Sequence, residues 1–193
     1  MGNDPVRSVI DRSALAPTFP THTHEPAFWE VLGRAVATVG FLEEILGKAI
    51  FAFTATRPYD DAEVEQAYDA WIPTLERALT DSLGNLSDVY GKAVREHPDA
   101  AVTGLDALLS DLRDASAVRN ILCHGSWGRA DGRGAAVPFF VNRQMQIVDT
   151  AMDRDYLAQL QRHAADLACA VMDTVTSMGW RFPGSVGPGK VIR

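Results

Sequence analysis

Three polar residues have the types and the spacing of a small reactive site: Arg119, Asn120 and His124. Asn120 and His124 are four residues apart, so on a helix they lie on one side and border the position of Arg119. An arginine binds anions through its planar set of N–H donors, and a histidine can exchange a proton near neutral pH. On a helix, these side chains can converge on one cleft, where the arginine could bind an anion and the histidine could transfer a proton.

The segment that carries these residues is predicted to be a helix from about Thr103 to His124. Thr103 has the side chain of an N-cap, and Gly125 could supply a left-handed C-cap. Arg119 falls in the middle of the apolar face, so it needs a carboxylate, a phosphate or a water-filled cleft to offset its desolvation. We therefore expect an anionic group opposite Arg119. The apolar face consists of Leu105, Leu108, Leu109, Leu112, Ala115 and Leu122.

A first long helix is predicted from Phe28 to Phe53, because apolar residues recur there at spacings of three and four. One row of this helix is apolar except for Glu43, which therefore faces the core side. Its carboxylate is the candidate partner of Arg119. A plain structural ion pair between the two residues is an equally good interpretation.

A second helical pattern runs from 61 to 96, where Pro73 should kink or split it. A last helix is predicted from Asp153, its N-cap, to Met178. Between the helix of Arg119 and this last helix, the stretches 135–141 and 145–149 around Asn142-Arg143 suggest a β-hairpin.

The chain is thus predicted to be all-α, an antiparallel bundle of four to five long helices with a small β-hairpin after the helix of Arg119. An irregular proline-containing arm (1–26) precedes the bundle (27–180), and a flexible tail (181–193) follows it.

The formal net charge of -7 argues against a protein that coats nucleic acid, since such binding depends on phosphate neutralisation. Residues 113–143, however, contain five arginines and only two acids. This basic segment could focus one anionic ligand, although chance clustering on a solvated loop explains it equally well.

No cofactor and no metal are expected. Cys123 and Cys169 have neither metal-ligand spacing nor a CxxC pattern, and we expect both to be buried and reduced. His22 and His24, with Glu25 beside them, have no further ligand nearby in sequence. No apolar run is long enough to cross a membrane and the N-terminus does not resemble a signal peptide, so a cytoplasmic location is expected.

The run from Arg119 to His124, Arg-Asn-Ile-Leu-Cys-His followed by Gly125, resembles the R-x4-6-H motif of HEPN domains, with the usual polar residue directly after the arginine. The resemblance implies an all-α bundle that commonly forms a homodimer through the motif helices. Two copies of the arginine and the histidine would then share a cleft that cuts RNA without a metal.

By this resemblance, Arg119 would hold the scissile phosphate and His124 would move protons for attack by the ribose 2′-hydroxyl. Asn120 would orient either residue, and Glu43 resembles a helix-borne carboxylate that accompanies the motif in some members. Many members are toxins or defence nucleases, for which a neutralising partner protein is expected. Others bind nucleotides or partners without cleavage. An endoribonuclease and a noncatalytic dimerising or binding module therefore both stay open.

Overall fold

The computed structural model describes residues 8–57, 60 and 62–185. Within these residues the chain forms five α-helices and a two-stranded antiparallel sheet. The helices are α1 (Pro26–Ala55), α2 (Val64–Thr80), α3 (Leu83–Glu96), α4 (Leu105–His124) and α5 (Arg154–Thr176), and the strands are β1 (Ser126–Trp127) and β2 (Pro138–Phe139). The predicted all-α bundle with a small hairpin is confirmed. No helix of the described residues is both long and apolar enough to span a membrane.

Helix α1 is the centre of the bundle, and the four other helices all pack against it. Leu42, Leu46 and Ala49 are fully buried. Burial of a leucine side chain contributes about 1.5–3 kcal/mol, so this helix supplies a large part of the hydrophobic stabilisation. A smaller apolar cluster joins the beginning of α1 to the ends of α4 and of the hairpin and to the start of α5. Its members are Phe28, Leu32, Ala35, Leu122, Met152 and Leu157.

Helices α3 and α4 run antiparallel and approach each other closely at two glycines of α3. A Cβ added to Gly91 would lie 2.7 Å from Leu109 Cδ1, and one added to Gly84 would lie 3.1 Å from Ser116 Oγ. Because α3 begins one residue before Gly84, the part of α4 after Ser116 extends beyond the start of α3. We call this part, residues 117–124, the overhanging turns.

The pattern predicted from 61 to 96 is split, but not at Pro73. Residue 61 lies outside the described residues, and Pro73 is an exposed residue inside α2. The helical conformation is interrupted at Asp81 and Ser82. Helix α2 ends there, with the Asp81 N–H donating to Arg77 O at 2.8 Å. A split at Pro73 was predicted wrongly, because an outward-facing proline costs a hydrogen bond without forcing the chain to leave the helix.

The predicted N-cap of α4 was wrong. The helix begins at Leu105, and its N-cap is Gly104 in the left-handed region, with φ +71°, rather than Thr103. The left-handed turn at Gly104 starts the helix one residue later than a Thr103 cap would, and no side chain caps it. In the first turn, the Asp106 carboxylate pairs with Arg95 of α3 at 2.6 Å.

Gly125 ends α4 in an extended conformation, with φ -69° and ψ 139°, so the predicted left-handed cap is wrong. A glycine is required here for a different reason. A Cβ at this position would lie 2.6 Å from Ile121 O and 3.0 Å from Pro138 Cβ. The Ile121 carbonyl of α4 and the Pro138 side chain of β2 therefore leave no room for a side chain at this position.

The predicted hairpin is present around Asn142, whose N–H donates to Gln146 O at 3.0 Å, and residues 141 and 147 form a bridge. Strand β2, which precedes this turn, pairs back with β1 directly after α4.

The predicted N-cap of α5 is confirmed, since Asp153 Oδ1 accepts from the Tyr156 N–H at 2.8 Å. Helix α5 ends at Thr176, slightly before the predicted end.

The described parts of the predicted arm and tail pack more closely on the bundle than expected. In the arm, His24 is buried and stacks on Phe28 with ring centroids 4.1 Å apart, and its Nε2 donates to Gly128 O at 2.6 Å. At the other end, Phe182 is 5% exposed and belongs to the main core, so the prediction of a flexible tail is wrong for 181–185. The rest of both predicted segments, 1–7 and 186–193, lies outside the described residues.

We predict that Gly125→Ala lowers the free energy of unfolding by about 1–3 kcal/mol, because the new methyl group must displace backbone. Urea titrations followed by circular dichroism measure the change. Gly128→Ala is the matched control, since no atom lies within 4 Å of its added Cβ. Equal stabilities of the two variants would contradict the close contact between α4 and β2.

Candidate functional site

Arg119 lies on the overhanging turns of α4, on the side that faces α1. Its Nε lies 3.4 Å from Glu43 Oε1, and the two side chains are 27% and 23% exposed. The ion pair predicted between Arg119 and Glu43 is therefore present. Because both side chains are largely removed from water, removal of either partner leaves a poorly solvated charge.

The Glu43 carboxylate has a second partner at the start of α3. Its Oε1 also accepts a hydrogen bond from the Leu83 N–H at 3.1 Å. Ser82, the N-cap residue of α3, makes no side-chain capping bond. The first N–H groups of a helix have no partner within the helix and favour a negative charge. Glu43 of α1 thus caps α3 and holds Arg119 of α4 with one oxygen.

The outer end of the Arg119 guanidinium meets the two other predicted site residues. Its Nη1 lies 3.5 Å from Asn120 Oδ1 and 3.5 Å from His124 Nε2. Both distances are at the upper limit for a hydrogen bond, so these contacts are weak and easily exchanged. The structure thus brings together all four predicted residues, with Glu43 on the inner side and His124 exposed to solvent.

The donors and acceptors of this group favour an anionic ligand. His124 Nε2 can accept from Arg119 only while that nitrogen carries no proton. Once protonated, the imidazole and the guanidinium are both pure donors and need a shared acceptor. Phosphate and carboxylate oxygens supply such an acceptor with charge-assisted hydrogen bonds.

Arg119 also borders a cleft of about 690 Å³ between α1, α2 and the start of α3. The cleft contains three carboxylates, of Glu43, Glu44 and Asp81, against the cations of Lys48 and Arg119. Lys48 is already paired with Glu44 at 2.6 Å. The cleft therefore does not attract anions along its length, and an anion reaches Arg119 best from the outer side, next to Asn120 and His124.

The basic segment of the sequence continues from this outer side into the hairpin region. Arg129 and Arg143 are both exposed. Within the described part of the chain, neither has a carboxylate within 4.0 Å. Arg113, in contrast, pairs with Asp88 at 3.3 Å. Arg129 and Arg143 are therefore accessible cations, while Arg113 is part of the packing of α3 on α4.

Both cysteines are free and exposed, so the prediction that they are buried is wrong. Cys123 lies on the overhanging turns, where α3 no longer covers the inner face of α4. Cys169 follows the buried Ala168 and points out of the bundle. Among the described residues, no three His, Cys, Asp or Glu side chains are grouped so as to hold a metal ion.

We predict that Glu43→Ala lowers the free energy of unfolding by about 1.5–3 kcal/mol, because Leu83 and Arg119 both lose their acceptor. Glu43→Gln should cost less, since its amide oxygen can still accept from the Leu83 N–H. Glu44→Ala is the control, because this exposed neighbour makes only a surface pair with Lys48. Chemical denaturation of the three variants measures the ranking. A loss in Glu43→Ala no larger than in Glu44→Ala would contradict the double role of Glu43.

The chain was compared with models of protein families, with curated proteins and with solved structures. None of the three comparisons found a match.

Proposed function

We propose that the chain is a metal-independent endoribonuclease of the HEPN type, which cuts RNA by attack of the ribose 2′-hydroxyl on the adjacent phosphate. One observation supports this proposal most. Arg119 Nη1 is within 3.5 Å of both Asn120 Oδ1 and His124 Nε2 on an exposed turn, while its Nε is held from the inner side by Glu43. A phosphate and a proton-transfer group can therefore meet at one point.

In the proposed reaction, Arg119 donates to the nonbridging phosphate oxygens and stabilises the charge that develops on them. His124 takes the proton of the 2′-hydroxyl, and the 2′-oxygen forms a bond to phosphorus. The bond from phosphorus to the 5′-oxygen breaks, and this oxygen takes up a proton. The products are a 2′,3′-cyclic phosphate and a 5′-hydroxyl. Asn120 orients Arg119 or the phosphate, and Glu43 positions Arg119.

A homodimer through α4 would place a second copy of His124 near the first, where it could protonate the leaving 5′-oxygen. The surface around the overhanging turns suits such a contact, because Ala117 is exposed and Val118 is half-buried. An apolar groove of about 170 Å³ runs beside it between α4, α1 and α5, lined in part by Val39 and Leu122. Small apolar side chains allow two copies of a helix to approach closely.

The exposed site also fits a toxin or defence role, in which a neutralising partner protein would cover the overhanging turns. A noncatalytic dimerising module is the second candidate. It is favoured by the hydrogen bond from the Leu83 N–H to Glu43, because this bond makes the pair of Glu43 and Arg119 part of the packing of three helices. Only an activity assay separates the two functions.

We predict that His124→Ala and Arg119→Ala each abolish cleavage of RNA and that the double variant is no worse, because residues of one catalytic unit are not additive. The assay uses purified chain with a chelator on RNA and on an all-deoxy copy, which should stay intact. The controls are His22→Ala and Arg34→Ala, both exposed positions away from the site. Thermal melts check the fold of each variant. Uncut RNA with the wild type, or equal cutting by both site variants, would favour the noncatalytic module.

We further predict that the wild type is a symmetric dimer at micromolar concentration and that Ala117→Glu makes it monomeric, because a buried carboxylate without a partner disrupts the contact. Ala107→Glu is the matched control, since this residue is exposed on the same helix but far from the overhanging turns. Analytical ultracentrifugation gives the mass of each form. A monomeric wild type would refute the shared cleft.

A further inference from the structure

A second pocket, of about 340 Å³, lies between the end of α1, helix α2 and the outer face of α3. None of the residues that line it lines the cleft beside Arg119. Its volume is at the lower end of the range of about 300–1,000 Å³ that is usual for small-molecule sites. What it could bind depends on the charges and the flat side chain in its wall.

Cations outnumber carboxylates in this pocket, although the chain as a whole carries a formal charge of -7. Among the described residues that line it, Arg77 and Lys92 face one acid, Glu96, and Arg57 Nη1 also lies 3.9 Å from this carboxylate. Lys92 Nζ lies 3.7 Å from the Glu96 carboxylate, a long distance for an ion pair. The pocket therefore has an excess of positive charge.

Arg77 contributes most to this excess. Among the described residues, no carboxylate lies within 4.0 Å of its guanidinium. Its Nε makes one long hydrogen bond of 3.4 Å to Pro73 O, on its own helix. The remaining N–H groups form the fork that binds two oxygens of a phosphate, a geometry that lysine cannot provide.

Trp71 supplies a flat apolar wall with a fixed orientation. Its Nε1 donates to Thr54 Oγ1 at 2.8 Å, and this hydroxyl in turn donates to Ile50 O at 2.7 Å. The indole cannot turn without breaking this chain of hydrogen bonds. Ala67 and Ala93 line the pocket near it and leave space for a ring, which could pack against the indole.

We propose that this pocket binds a small phosphate monoester that carries a flat ring. The phosphate dianion lies between Arg77 and Lys92, where it competes with Glu96, and the ring packs against Trp71. A carboxylate monoanion would satisfy the cations less well, because it has fewer acceptor oxygens and half the charge. The proposal is independent of RNA cleavage, since it shares no residue with the site of Arg119.

Isothermal titration of the full chain with phenyl phosphate, inorganic phosphate and benzyl alcohol tests the proposal. Phenyl phosphate should bind saturably, and at least about tenfold more tightly than either fragment, which corresponds to about 1.4 kcal/mol. Arg77→Gln should weaken its binding by a similar factor. Trp71→Leu should weaken phenyl phosphate but not inorganic phosphate.

Two further variants keep the result interpretable. Glu96→Gln should strengthen binding, because the competing carboxylate is removed. Arg95→Gln should leave binding unchanged, since Arg95 pairs with Asp106 outside the pocket. Circular dichroism melts confirm that each variant is folded. Absence of saturable binding of phenyl phosphate, or equal weakening by Arg77→Gln and Arg95→Gln, would overturn the proposal.

Discussion

The Glu43 carboxylate joins three helices through one oxygen, which accepts from the Leu83 N–H and faces Arg119 Nε. This contact determines where α3 begins and how Arg119 is oriented. A half-buried arginine without such a partner would turn outward to water or destabilise the fold. The pair also holds one side of the guanidinium, which leaves its other side for Asn120, His124 and an anion. Stability of the bundle and geometry of the site thus depend on the same interaction.

The position at which α3 begins also determines which part of α4 is exposed. Because α3 covers α4 only as far as Ser116, the overhanging turns are open to solvent on the side where His124 lies. The end of α4 is nevertheless fixed, since β2 presses against Gly125 and Leu122 belongs to the small apolar cluster. An exposed turn with a packed backbone suits a reactive site, because its side chains are accessible while the helix that carries them is held in place.

Much of this arrangement could be predicted from local sequence patterns. The spacing of apolar residues predicted the bounds of α1, α4 and α5 to within a few residues. The positions of Glu43 and Arg119 on apolar faces predicted that the two side chains pair. The errors have a common cause, which is contact between residues distant in sequence. The split after Asp81 depends on Glu43, which is 40 residues from Leu83. The exposure of Cys123 depends on where α3 begins, and no local pattern contains that information.

The contacts of Arg119 with Glu43, Asn120 and His124 support the proposed cleavage of RNA by the ribose 2′-hydroxyl without a metal. Mass spectrometry of the ends of RNA fragments formed in the presence of a chelator tests it most directly. We expect fragments that end in a 2′,3′-cyclic phosphate and begin with a 5′-hydroxyl. Fragments with 3′-hydroxyl and 5′-phosphate ends, or cleavage that occurs only after a divalent cation is added, would contradict it.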